Sequence, residues 1–339
     1  MKNYLFIAAA ACVALAACTK NEVKPVEVDQ EITYQTIDTK AASLFDTGSA
    51  FYSWAYILAE GSTWDSKSAE SSPYITNSLI KYKDNVWKNE DKAYYWPKNA
   101  GLTFFAWSDN TNAPTVSSSV TCTNTDGIKF TNFDTSVDKN KDLLVAKIAA
   151  DQKNNTASTH PWGAGVPTVF YHILSALELK AITDIDYTDV TFNVKSVDIK
   201  SVLTKGTYTQ GVVSTSLPTS PTWATESDIH DFDVYTPSSV SGDLSMTETV
   251  LLPQTGDVRI FMPQDFSDET AKVVVTYQVT YGTSGVIDTV TVEKDLKSIF
   301  TSNWKPGYKY TLTIKLSMNQ ILWDPSIEEW TTQNYSESF

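Results

Sequence analysis

Tyr308-Lys309-Tyr310-Thr311-Leu312-Thr313-Ile314-Lys315-Leu316-Ser317 alternates apolar and polar residues without a break. Successive side chains of an extended strand point to opposite faces, so Tyr308, Tyr310, Leu312, Ile314 and Leu316 share one face. Lys309, Thr311, Thr313, Lys315 and Ser317 share the other. This period of two predicts a half-buried strand. Val273, Val275, Tyr277, Val279 and Tyr281 repeat the pattern, and Val290 and Val292 belong to a third strand. Gly282-Thr283-Ser284-Gly285 between these two reads as a hairpin turn. Phe192 and Val194 are out of phase with Val197 and Ile199, which predicts a bulge near Lys195-Ser196.

Two further runs, 51–58 (FYSWAYIL) and 102–107 (LTFFAW), are apolar on both faces. Such runs fit central strands covered on both sides. Helical periodicity is scarce, with two short candidates at 142–150 (DLLVAKIAA) and 293–300. Abundant Trp, Tyr, Ser and Thr suit pleated, half-buried surfaces. The expected class is therefore all-β, built as β-sandwich domains. An Asn/Thr/Gly/Pro-rich run at 151–167 marks the expected boundary between two domains, 32–160 and 161–339. Residues 214–240, punctuated by Pro218, Pro221 and Pro237, read as a long surface excursion.

The N-terminus reads MKNYLFIAAAACVALAAC. A single Lys2, an uncharged apolar run and Leu15-Ala16-Ala17-Cys18 form a bacterial lipoprotein signal. The run is shorter than the ~20 residues of a spanning helix. Residues 1–17 are the expected signal peptide. Cys18 is the expected lipidation site, and 18–31, polar with Pro25, the lipidated tether. Acyl chains contribute roughly 0.8 kcal/mol per buried methylene, so two or three anchor the chain durably.

The chain has 339 residues and a formal charge of -14. Losing Lys2 with the signal makes it one unit more negative. An acidic chain repels nucleic acid and anionic head groups, which excludes both as partners. Arg259 is the single arginine among 26 basic residues, an unsuitable composition for phosphate forks. With Cys12 in the signal and Cys18 acylated, Cys122 is alone and no internal disulfide forms.

No catalytic constellation emerges. His160, His172 and His230 lie in no metal-ligand spacing. His172, within Phe170-Tyr171-His172-Ile173-Leu174, reads as a packed, hydrogen-bonded structural histidine. Asp138-Lys139-Asn140-Lys141-Asp142 imitates a calcium loop, but Leu143 stands where Gly is needed and Ala149 where Glu is needed. No metal, no cofactor and no enzymatic activity are expected. Exposed Trp and Tyr would suit a surface-anchored glycan-binding lipoprotein, the alternative reading. Trp54, Trp96 and Trp107 lie in apolar runs, which points to core packing instead.

The landmarks that follow the signal, taken in order, resemble the fimbrillin family of Bacteroidia, subunits of type V pili. Ile32-Thr33-Tyr34 and Thr39-Lys40-Ala41 resemble its first strand and the junction after it. Phe51 to Tyr56 is similar to its second landmark strand. Tyr94-Tyr95-Trp96-Pro97 feeding 102–107 resembles its aromatic-Trp-Pro turn. Asp142-Leu143-Leu144-Val145-Ala146 resembles the close of the first half, and the strand from Phe170 to Leu177 the opening of the second. Trp304-Lys305-Pro306-Gly307-Tyr308-Lys309-Tyr310 resembles the Trp-x-Pro-Gly-x-x-Tyr approach to its late strand, with Ile321 and Trp330 at the closing strand.

The resemblance implies two tandem transthyretin-like, Greek-key β-sandwich domains. It implies a structural, adhesive subunit, first an outer-membrane lipoprotein and then part of an extracellular fimbria. It also implies removal of the first strand by proteolysis and joining to other pilus subunits by strand donation; the surface receptor is unspecified. Ile32 and Tyr34 are then the anchors of the removable strand. The resemblance implies cleavage by an Arg-specific protease, but no Arg precedes Arg259, so the cut either follows a Lys, with Lys40 the best placed, or is made by another protease. A sandwich lacking one strand exposes unpaired backbone and an apolar groove, and a neighbour's strand satisfies both.

Overall fold

In the computed structural model, the described residues are 30–36, 45–64, 72–154, 165–211, 223–237, 243–252, 259–266, 270–300, 303–318 and 321–330. The described residues from 31 onward form one compact unit. The fold is all-β, four sheets packed as sandwiches.

The largest sheet has nine strands. Its order is Val166–Thr168, Tyr34–Thr36, Val86–Asn89, Ile75–Lys83, Ala50–Leu58, Gly101–Ser108, Leu144–Ala146 and Phe170–His172, with Ala149–Gln152 also paired to Gly101–Ser108. The outermost strands, Val166–Thr168 and Phe170–His172, are consecutive in the chain. The sheet thus ends at both sides on one short stretch, which pairs with Tyr34–Thr36 by its first half and with Leu144–Ala146 by its second.

Ala50–Leu58 and Gly101–Ser108 are covered on both faces, as their unbroken hydrophobicity predicts. Phe51, Ala55, Leu102, Phe104 and Ala106 face one core. Trp54, Tyr56, Leu58, Phe105 and Trp107 face a second. That second core is closed by a four-stranded sheet of Ser119–Thr123, Gly127–Asp134, Lys205–Thr209 and Trp223–Thr225.

The other sandwich has a core drawn wholly from residues beyond 176. One sheet runs Thr249–Leu252, Ser175–Thr183, Tyr308–Leu316, Ile321–Glu329, with Arg259–Phe261 also paired to Ser175–Thr183. The other runs Ile229–Tyr235, Val190–Leu203, Lys272–Tyr281, Val286–Asp295. The hairpin expected at 282–285 joins Lys272–Tyr281 to Val286–Asp295, with Tyr281 opposite Val286. The bulge falls where the phase changes: the register shifts between Val194 and Ser196, and Val194 and Val197 are both buried. Tyr308–Leu316 is a strand, but a central one, parallel to Ser175–Thr183 and antiparallel to Ile321–Glu329. Its polar face is covered too: Thr311 and Thr313 are buried, and Thr311 Oγ1 donates to Glu178 Oε2 at 2.8 Å.

Three expectations are corrected. Residues 142–150 are not a helix; they hold Leu144–Ala146 and the start of Ala149–Gln152. Leu143, Leu144, Val145, Ala146, Ile148 and Ala149 are all buried, which leaves no polar face for a surface helix, and flanking strands take up the backbone bonds. In the expected excursion at 214–240, Trp223–Thr225 and Ile229–Tyr235 pair as strands with Lys205–Thr209 and Val190–Leu203. The helix expected at 293–300 shrinks to one turn, Leu296–Ile299.

Candidate functional site

The first strand is short but deeply seated. Tyr34–Thr36 lies parallel to Val166–Thr168 over three register pairs and meets Val86–Asn89 at one, Tyr34 opposite Trp87. Ile32, just before it, donates its N–H to the Tyr94 carbonyl at 2.7 Å, and the Thr33 carbonyl accepts from Val166 N–H at 2.8 Å. Alternation turns Ile32 and Tyr34 inward, at 0% and 2% exposure. Both belong to the core that Phe51, Trp87, Trp96, Phe104 and Phe170 line.

Tyr34 is held on two sides. Its ring meets Phe51 edge-on at 5.5 Å and 81°, and Phe104 at 5.8 Å and 85°. Its hydroxyl donates to Ser53 Oγ at 3.1 Å. Burial pushes the phenol pKa well above its ordinary value. Gly165 permits the close approach of the first strand: at φ +112° a Cβ there would lie 3.0 Å from the Tyr34 carbonyl carbon. An L side chain is strained at that φ and would push the strand outward.

The two inward residues expected from the sequence, Ile32 and Tyr34, are thus brought together in one core. Cys18 and Lys40 lie outside the described residues. Ser53 and Gly165 were not singled out in the sequence. Ser53 carried a readable signal, as the single hydroxyl among the aromatics of 51–58 that shares the face of Phe51. Gly165 carried none, since its need arises only from pairing with a strand some 130 residues earlier.

His172 is the packed, hydrogen-bonded residue expected. It is 2% exposed, with Nδ1 2.8 Å from the Asp142 carboxylate. Its ring stacks on Trp330 at 3.7 Å and 10°. His230 is exposed on Ile229–Tyr235, and His160 lies outside the described residues. Asp138, the first residue of the imitated calcium loop, is buried and accepts the Ser117 N–H at 2.9 Å. Among the described residues no group of three or more His, Cys, Asp or Glu side chains could hold a metal ion. Among them, too, no helix is long and apolar enough to cross a membrane.

Tryptophan distribution bears on the glycan alternative. Trp54, Trp64, Trp87, Trp96, Trp107, Trp223 and Trp304 are buried, and Trp323 and Trp330 are partly buried. Trp162 lies outside the described residues. Among the described residues, then, no exposed Trp platform exists for a sugar ring to stack on.

A family model described as fimbrillin-like matches residues 54–330. No curated protein matches the chain. Among solved structures the chain is similar to a fimbrial protein from Bacteroides vulgatus, 18% identical, with 89% of this chain and 99% of that one covered and a TM-score of 0.62. It is also similar to a putative cell adhesion protein from Bacteroides uniformis, 18% identical, covering 89% and 98% with a TM-score of 0.47. A putative cell adhesion protein from Bacteroides ovatus is 14% identical, covering 91% and 100% with a TM-score of 0.46. At such identity the likeness to the Bacteroides vulgatus protein speaks to the fold.

Proposed function

The chain belongs to the fimbrillin-like family, and from that premise we propose that it is a structural and adhesive subunit of a cell-surface fimbria. It is exported as a lipoprotein acylated at Cys18, reaches the outer membrane, and assembles after its first strand is removed by cleavage at Lys40. Other pilus subunits are its partners, joined through strand donation.

The observation that carries this reading is the first strand itself. It is short, and together with Ile32 just before it, it fills a core with two fully inward side chains, Ile32 and Tyr34. Each large side chain withdrawn from a core forfeits roughly 1.5–3 kcal/mol. Removing the pair therefore leaves an apolar groove beside the unpaired backbone of Val166–Thr168. A neighbour's strand restores both burial and main-chain hydrogen bonds, and that is the driving force for polymerisation. The acyl anchor leaves with the removed segment, which transfers the subunit from membrane to filament.

The test compares wild type, Cys18→Ala and Lys40→Gln on the cell surface, by labelled palmitate, N-terminal sequencing and electron microscopy. Wild type yields filaments whose subunits begin at residue 41. Cys18→Ala takes up no label, and Lys40→Gln stays acylated and monomeric. Filaments of normal length from Lys40→Gln would remove Lys40 from the scheme. Label at wild-type level in Cys18→Ala would remove the anchor.

A further inference from the structure

Ser53 is the residue of the groove that an apolar core does not need. It is fully buried, on the face of Ala50–Leu58 that it shares with Phe51 and Ala55. A hydroxyl in such surroundings is costly unless it is hydrogen-bonded. Its own proton reaches the Trp54 carbonyl only at 3.5 Å, a long contact. Its close partner is the phenol of Tyr34, which donates to Ser53 Oγ at 3.1 Å. Phe51 and Phe104 stand edge-on to the Tyr34 ring on two sides and fix the direction in which the hydroxyl points.

We propose that Ser53 is a specificity-determining residue of the strand groove, selecting an incoming strand that carries a tyrosine two residues after a branched aliphatic. The proposal rests on the reading of the first strand as removable. The aliphatic fills the place of Ile32, and the tyrosine fills that of Tyr34. A phenylalanine there would fill the same volume and keep both ring contacts. It would leave the Ser53 acceptor dry and unpaired, and an unmet buried group is penalised more than a met one is rewarded. A site built to bond a hydroxyl therefore rejects the analogue that lacks one, whereas aliphatic pockets discriminate only weakly by size. The groove thus holds a polar criterion for its occupant within an otherwise apolar fit.

The test uses the full chain, nicked by trypsin under native conditions, with the cut verified by mass. Two fluorescent peptides are offered: residues 30–37, Gln-Glu-Ile-Thr-Tyr-Gln-Thr-Ile, and the same peptide with Tyr34→Phe. The tyrosine peptide binds roughly tenfold more tightly, the worth of one buried hydrogen bond. Ser53→Ala protein, nicked in the same way, binds both peptides equally. Equal binding of the two peptides by wild type overturns the proposal while leaving the removable strand intact. So does a preference that survives in Ser53→Ala. Entry of neither peptide removes the reading on which the proposal rests, and the proposal with it.

Discussion

At the scale of single residues, the clasp of Asp142, His172 and Trp330 shows how a lone histidine is put to use. The carboxylate of Asp142 holds Nδ1 at 2.8 Å, and the indole of Trp330 covers the ring face at 3.7 Å. Trp330 N–H donates to the Gly307 carbonyl at 2.8 Å. Gly307, at φ +73°, is in a conformation that strains an L side chain, and a Cβ there would lie a tight 3.1 Å from the His172 carbonyl oxygen. The ring stack thus ties the end of Ile321–Glu329 to the largest sheet. Stacked aromatic pairs contribute about 0.5–1.5 kcal/mol beyond their burial. His172→Ala and Trp330→Ala should each destabilise the protein, and the double variant should cost about 1 kcal/mol less than their sum. Urea unfolding of the four proteins measures this, and strict additivity would show the stack to be incidental. The bland role of His172 was legible from its apolar neighbours. Its partners were not, since Asp142 is 30 residues away and Trp330 joins through the packing of the closing strand. The same limit applies in the groove: alternation exposes Ile32 and Tyr34 as an inward pair, but only the folded register sets Tyr34 against Ser53.

At the scale of elements, what could be read was what is local. The period of two at Tyr308–Leu316 and Lys272–Tyr281, the turn between Tyr281 and Val286, and the phase change after Val194 all depend on neighbours in sequence. The parallel pairing of Tyr308–Leu316 with Ser175–Thr183 does not, and neither does the strand at Leu144–Ala146, where burial on every side overrode a helical spacing. The bulge makes the point quantitative. Lys195 has no partner on Lys272–Tyr281, since Val194 pairs with Tyr277 and Ser196 with Thr276. Deleting Lys195 leaves Val194 and Val197 both inward with Ser196 between them, so the fold should survive with a small change in melting temperature. Deleting Thr276 from the partner strand instead shifts Val273 and Val275 by one residue, out of their core and onto the sheet's other face. Losing two buried valines costs roughly 3–6 kcal/mol, a large share of a typical domain's stability of about 5–15 kcal/mol. Circular dichroism melts of the two deletions decide the matter, and equal damage from both would show that the bulge is itself required.

At the scale of the whole molecule, we propose that 32–160 and 161–339 are interlocked units rather than beads on a string. The second unit has a core of its own, drawn from residues beyond 176. The first does not close without loans from the second. Val166–Thr168 and Phe170–His172 complete its largest sheet, and Lys205–Thr209 pairs with Gly127–Asp134 to complete the facing one. Ile173, Leu174, Tyr208, Trp223, Ile260 and Met262 pack in the same core as Trp54, Phe105 and Trp107. The Asn/Thr/Gly/Pro composition of 151–167 signals a break in the chain's path, but composition carries no information on which strands later cross back. A protease site placed within 155–164 should therefore be cut without freeing the halves. Each large side chain in a shared core contributes roughly 1.5–3 kcal/mol, and several are shared here. The nicked protein should elute as one species under native conditions and separate only in denaturant, with the larger fragment alone recovering β-structure on refolding. Two fragments that part under native conditions, each with an intact β spectrum, would show the shared strands to be marginal. The halves would then fold and move as independent domains.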